Sequence, residues 1–138
     1  MKRLREQIPA EHAACVFDAK GPTFRNDWYA DYKAQRAPMP EDLVRQIEPI
    51  HEVVRLLGWP VMEVPGIEAD DVIGTLARKA AESGHEVVIS TGDKDLAQLL
   101  REGRVEMFDV HTDELTDVAR LKEDKGITPA QVIDMLAL

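Results

Sequence analysis

Residues 61–95 read VMEVPGIEADDVIGTLARKAAESGHEVVISTGDKD. Val61 to Val64 predicts a short strand, and Pro65-Gly66 ends it. From Glu68 to Glu82 the apolar residues Val72, Ile73, Leu76, Ala77 and Ala80 recur at helical spacing, and Ser83-Gly84 closes the helix. Val87-Val88-Ile89-Ser90 is a β-branched run and predicts a second strand. Strand, helix, strand in this order is the unit of a parallel sheet with right-handed crossovers. The stretch therefore predicts an α/β fold.

The flanks extend the alternation. Upstream, Ala13 to Phe17 is an apolar run closed by Asp18 and Gly21, and it predicts a buried strand with Cys15 as a small core residue. Residues 23–36 lack Gly and Pro and predict a helix, broken by Ala37-Pro38-Met39-Pro40. Glu41 to Leu57 predicts a second helix with Leu43, Ile47, Ile50, Val54 and Leu57 on one face. Pro49 predicts a kink or a split there, and Gly58 a stop. Downstream, a short helix is expected over Asp95 to Arg101, a strand over Val105 to Val110, and a weaker helix over about Leu115 to Lys122. Thr128 and Pro129 supply the cap and first turn of a last helix. Leu4 and Ile8 suggest a helix already under way at Met1, and the last helix stops mid-pattern, so both ends read as cut.

Composition narrows the function. The chain has 138 residues, a length suited to one domain, and 44% hydrophobic residues, enough for a core. No apolar run approaches a membrane span, and Met-Lys-Arg-Leu-Arg-Glu-Gln is not a secretory start. The single cysteine excludes an internal disulfide and a Cys-rich zinc site. A cytoplasmic protein is expected. A net charge of -9 argues, on its face, against a phosphate-rich partner. The charges are uneven, however. Residues 1–40 hold seven Lys/Arg and five Asp/Glu, a net of +2, and the remainder carries -11. Five of the seven aromatics, Phe17, Phe24, Trp28, Tyr29 and Tyr32, share the basic stretch.

The acids follow the strands. Asp18 ends the first, Glu68, Asp70 and Asp71 follow the second, and Asp93 and Asp95 follow the third. Carboxyl ends of parallel strands share one edge, where open α/β sheets bind ligands, so the six are expected to converge. Bare like charges at short range oppose one another's ionisation, and divalent cations relieve this. Hard oxygen donors suit Mg²⁺ or Mn²⁺, and two such ions can clamp the oxygens of a phosphodiester. Asp70 or Asp93 singly reads as a helix cap; the whole set at three strand ends reads as a metal site. A helix over 23–36 places Arg25, Tyr29, Lys33 and Arg36 roughly along one face beside Tyr32, with cations for phosphate and rings for bases. Phe24 and Trp28 are expected to pack inward. His12, His51, His85 and His111 show no pair spacing, Ser90 and Thr91 lack a partner His, and Gly92 has no Walker spacing.

The chain resembles the N-terminal 5′→3′ exonuclease domains of bacterial DNA polymerase I, in the 5′-nuclease (flap endonuclease) superfamily. The matching stretches are Val16-Phe17-Asp18-Ala19-Lys20-Gly21, Thr23-Phe24-Arg25, Tyr32 to Pro40, Val64 to Gly74 with its Glu-Ala-Asp-Asp, and Ile89 to Asp95 with its Thr-Gly-Asp-Lys-Asp. The resemblance runs from about His12 to Leu138. It implies a PIN-like parallel sheet flanked by helices, with an arch segment at about 23–40. It implies hydrolysis of phosphodiesters at DNA 5′ ends and flaps, and at RNA primers, in the bacterial cytoplasm at the nucleoid, with no membrane and no small-molecule cofactor. The family's Mg²⁺ or Mn²⁺ carboxylates, for two ions in the complete domain, match Asp18, Glu68, Asp70, Asp71, Asp93 and Asp95. Its substrate-gripping arch matches Tyr32, Lys33 and Arg36, with Arg25 in the same motif, and the resemblance makes Lys33, Arg36 and Asp71 the catalytic residues. The chain begins after the family's first Asp-Gly strand. It ends before the family's Gly-Asp-x-x-Asp-Asn motif and helix-hairpin-helix element. A partial domain with activity far below the complete one is therefore expected, with a catalytically impaired DNA-binding fragment as the alternative. Six of the negative charges belong to the expected metal site, and without them the net is -3.

Overall fold

The structure is a computed structural model describing residues 1–138. It resolves into two compact units, residues 1–72 and 73–138. The fold is α/β, as expected, and no helix is long and apolar enough to cross a membrane.

The first unit opens with α1 (Lys2–Gln7), β1 (Cys15–Phe17), α2 (Phe24–Trp28), α3 (Glu41–Leu56) and β2 (Val61–Glu63). β1 and β2 pair in parallel, with Cys15 opposite Val61 and Phe17 opposite Glu63. A parallel pair needs a long crossover, which α3 supplies. The helix runs unbroken through Pro49, and Gly58, at φ +82°, follows its end. Its buried residues are His51 and Val54, with Ile47 half-buried; Leu43 and Ile50 are exposed. The inward stripe is thus narrower than expected and includes a histidine. The His51 ring lies 4.1 Å from that of Phe17, and its Nδ1 stands 3.0 Å from Glu63 Oε1 without hydrogen-bond alignment. β1 is half-buried rather than buried, having one neighbouring strand. Burial raises the Cys15 thiol pKa above its ordinary value.

The helix expected over 23–36 is a single short helix, α2, followed by turns. The segment lacks the apolar stripe that sustains an isolated helix. Lys33 takes a left-handed φ of +57°, incompatible with a continuing helix. α2 itself is pinned by a capping box between Thr23 and Asn26, and Phe24 N donates to Gly66 O at 2.9 Å.

α4 (Ala69–Glu82) carries the chain into the second unit. There β3 (Val87–Ser90) pairs in parallel with β4 (Val105–Asp109), and β5 (Glu114–Thr116) adds on antiparallel. β5 replaces the start of the weak helix expected from Leu115. A tight turn ending at Asp113, at φ +56°, folds the chain back on β4, so the sheet is mixed. A 3₁₀ helix (Lys94–Leu99), α5 (Val118–Lys125) and α6 (Pro129–Ala137) complete the unit. Ala77, Ile89, Leu96, Val105, Leu121 and Val132 are among its buried core. Gly74 lets α4 approach the 3₁₀ helix: a Cβ there would stand 3.4 Å from Leu99 Cδ2. Leu76 is exposed, and Ala81 takes its expected place inside.

Candidate functional site

The first unit places four of the expected acids at the exits of its two strands. Asp18 follows β1, and its Oδ1 accepts a 2.6 Å hydrogen bond from Ala69 N at the start of α4. This carboxylate caps a helix from another segment, where the dipole favours negative charge. It thereby ties the β1 exit to the β2 exit. Glu68, Asp70 and Asp71 follow β2 at the same helix start, because Pro65-Gly66 turns the chain from strand to helix there.

The basic segment meets these acids. Arg25 grips Asp71 in a bidentate pair, with Nη2 2.8 Å from Oδ1 and Nη1 2.5 Å from Oδ2, and its Nη1 lies 3.5 Å from Glu68 Oε2. Lys33 Nζ donates to Glu68 Oε1 at 2.7 Å. The left-handed turn at Lys33 delivers this ammonium, so the loss of the expected helix is what brings Lys33 and Arg25 to the same acids. The charges reinforce each other. The Arg25 hydrogen bond and charge hold Asp71 below the usual carboxylate range, against partial burial. Burial works to raise Glu68, but the Lys33 hydrogen bond and charge, with Arg25, leave it lowered. The Glu68 and Asp71 partners raise Lys33 and Arg25 in turn. Both carboxylates are therefore firmly ionised. Tyr32 is half-buried, its carbonyl accepts from Asn26 Nδ2 at 3.3 Å, and Lys33 Nζ lies 5.1 Å from its ring centroid. Arg36 is exposed at the end of the turns.

The second unit places Asp93 and Asp95 after β3. Asp93 Oδ1 accepts from Asp95 N at 3.0 Å and caps the 3₁₀ helix, while Asp93 N donates to Thr91 Oγ1 at 3.0 Å. Sequence reasoning missed Asp109. It ends β4 at the same sheet edge as the β3 exit, and a Cβ on Gly92 would stand 3.9 Å from its Oδ2. An acid closing an apolar strand, as at Asp18, was the available signal. The inward packing expected for Trp28 is also not what the structure shows. Trp28 is 81% exposed, because α2 ends at that residue and leaves its ring outward, against the Phe24 ring.

The donor set is chemically suited to a hard divalent cation: ionised carboxylates, with no sulfur among them. Within neither unit are three His, Cys, Asp or Glu side chains gathered closely enough to hold one. In the first unit Arg25 and Lys33 supply the positive charge instead.

Comparison with known proteins gives a consistent answer. Residues 1–128 match the family described as 5′-3′ exonuclease, N-terminal resolvase-like domain. DNA polymerase I of Pseudomonas aeruginosa is 53% identical over 135 residues, which are 98% of this chain and 15% of that protein. The 5′-3′ exonuclease of Buchnera aphidicola subsp. Baizongia pistaciae is 38% identical over 138 residues, all of this chain and 45% of that one. The chain thus spans less than half the length of either relative. A complex of the bacteriophage T5 D15 flap endonuclease with DNA and metal ions superposes with a TM-score of 0.77 at 20% identity, covering 99% of this chain and 54% of that one. That likeness establishes the shared fold. The chain belongs to the 5′-3′ exonuclease family, as its N-terminal resolvase-like domain.

Proposed function

We propose that this chain carries a divalent-metal-dependent 5′-nuclease site acting on phosphodiesters at DNA 5′ ends and flaps, in the bacterial cytoplasm. The observation that carries the reading is the ion-pair cluster at the start of α4. Glu68 and Asp71, both held below their ordinary carboxylate range, are faced by Lys33 and Arg25 at the start of a helix that Asp18 caps. A charge-dense edge of this kind suits phosphate and metal together. Family membership and the DNA and metal ions bound by the T5 relative support it.

Asp18, Glu68, Asp70 and Asp71 carry the carboxylate donors that would hold Mg²⁺ or Mn²⁺ in the first unit if drawn closer together than they stand here, and Asp93 and Asp95 carry the same donors in the second. The chemistry such ions supply when bound is polarisation of the phosphoryl oxygen and acidification of a water. The protein's own residues do the rest. Asp18 holds the β1 exit against the start of α4 and so fixes the spacing of the carboxylates. Arg25 and Lys33 pair with Asp71 and Glu68 and so place a forked and a point cation at the edge where substrate phosphates would lie. Arg36 adds a further exposed cation and Tyr32 a supporting ring.

The test is cleavage of a 5′-labelled flap duplex with Mg²⁺ or Mn²⁺. Short 5′ products that disappear with chelator and with Asp71→Ala support the reading. Metal-independent cleavage, or an undiminished variant, contradicts it. One observation favours a second reading, binding without turnover: Arg25 and Lys33 already sit on the carboxylates a metal needs. That reading predicts flap binding that weakens with salt and yields no product.

A further inference from the structure

Trp28 is more exposed than any other large hydrophobic residue except the terminal Leu138, and Tyr29 beside it is 63% exposed. Neither ring is explained by packing, and neither is needed to hold the carboxylates. Yet the pair is held in place. The Phe24 ring meets Trp28 edge-on, with centroids 4.9 Å apart and an interplanar angle of 72°. The capping box locks the helix that carries Trp28, with Tyr29 at its C-terminal cap, and Phe24 is anchored to Gly66 through its backbone. At 81% exposure the indole still presents most of its surface to solvent, while the Phe24 ring restricts its motion.

We propose that Trp28, with Tyr29, is a stacking platform for an unpaired base of the 5′ strand, beside the carboxylate site. This rests on the proposed nuclease reading and names the part of the substrate that the reading leaves unspecified. Charge argues for the occupant. The rings lie in the basic stretch of residues 1–40, net +2, whereas the remaining -11 repels a polyanion. Arg25, three residues before Trp28, is already aimed at the neighbouring acids. Asp27 and Asp31 flank the rings, so a phosphate has no reason to settle there. A base face does, because every base offers a π-surface irrespective of sequence. The contact should thus be apolar in energetics and carry little of the salt dependence, which falls to Arg36 and its neighbours.

The test uses the whole chain with Trp59→Phe, leaving Trp28 as the only tryptophan. Titration with oligo(dT) in the presence of chelator is expected to quench its fluorescence saturably. In the Trp59-containing chain, Trp28→Ala is expected to weaken binding of a 5′-flap duplex about tenfold, and Trp28→Phe less, on the scale of one lost base stack. The slope of log affinity against log salt stays the same in Trp28→Ala and falls in Arg36→Ala. A chain that binds or cleaves flaps without quenching Trp28 overturns the platform and leaves the nuclease reading standing. Quenching with no cleavage under Mg²⁺ or Mn²⁺ supports the platform and removes the nuclease reading. Quenching that depends on protein concentration without DNA would mean that a second copy covers Trp28, and equal quenching by a blunt duplex would mean that no unpaired base is needed. Either result overturns the inference.

Discussion

The two units are built on opposite balances. The first, residues 1–72, contributes only Val54 and Val72 to the buried hydrophobic residues, and its single buried polar side chain is His51. The second, residues 73–138, contributes eleven, including Val105 and Val132 at 1% exposure. The first is instead tied by charge. Arg25, Lys33, Glu68 and Asp71 interlock, and Asp18 caps α4 from a distance. The second uses its acids locally, as when Asp93 caps its own 3₁₀ helix. Hydrophobic burial is non-directional and insensitive to pH and salt, whereas ion pairs of partly exposed groups are sensitive to both. The comparison teaches that the ion-paired part of the proposed site sits where the fold is least secured by burial and most responsive to ions.

The largest expected effect tests the first half of this contrast. Asp71→Ala should cut flap cleavage by about 100-fold, the scale of losing one charge-stabilising group at a reacting site. Asp124→Ala, at an exposed position of α5, should leave it unchanged. Equal effects would erase the distinction between the units.

Core truncation tests the second half. Val132→Ala should lower unfolding stability by about 2 kcal/mol, from two lost methyl groups and the space they leave. Chemical denaturation measures it. Val54→Ala should act mainly on the first unit, seen as faster amide exchange in β1 and β2 with little change in β3 and β4. Even in the wild-type chain, the β3–β4 amides should exchange about tenfold or more slowly than those of β1–β2. Uniform exchange would contradict the contrast.

The smallest effect is in acid. Glu68 and Asp71 are held below their ordinary values of 4.5 and 3.8. A carboxyl with a lowered folded-state pKa contributes stability that is fully present above its unfolded value. That contribution is lost as pH falls through the folded value. The thermal midpoint should therefore slip by a few degrees as the pH drops below about 4.5. A chain with Arg25→Gln and Lys33→Gln should slip less over that window. Identical pH profiles would show that the pairs contribute nothing.

Much of this was legible in residues 61–95. The β2–α4–β3 unit and the grouping of acids at strand exits follow from alternation and turn residues alone. So does β4, because Val105, Met107, Phe108 and Val110 make a mostly apolar stretch that follows Gly103. The misses have physical causes. Residues 23–36 read as helical for want of breakers, but nothing in the pattern marks the left-handed turn at Lys33 or its pairing with a glutamate 35 positions away. β5 is three residues long and depends on pairing with β4, which a short window does not contain. His51 reads as polar on α3, yet Phe17 and Glu63 from two other segments bury it. The acids at the strand exits are legible one strand at a time; that Arg25 and Lys33 neutralise two of them is not, because ion pairing across the fold leaves no local signal.

The most direct test of the central claim compares a 5′-flap duplex with the same duplex whose 5′ strand is closed into a hairpin, each with Mn²⁺ and with chelator. The account predicts products only from the free 5′ flap and only with metal. Equal cutting of the closed substrate, or cutting in chelator, would contradict it.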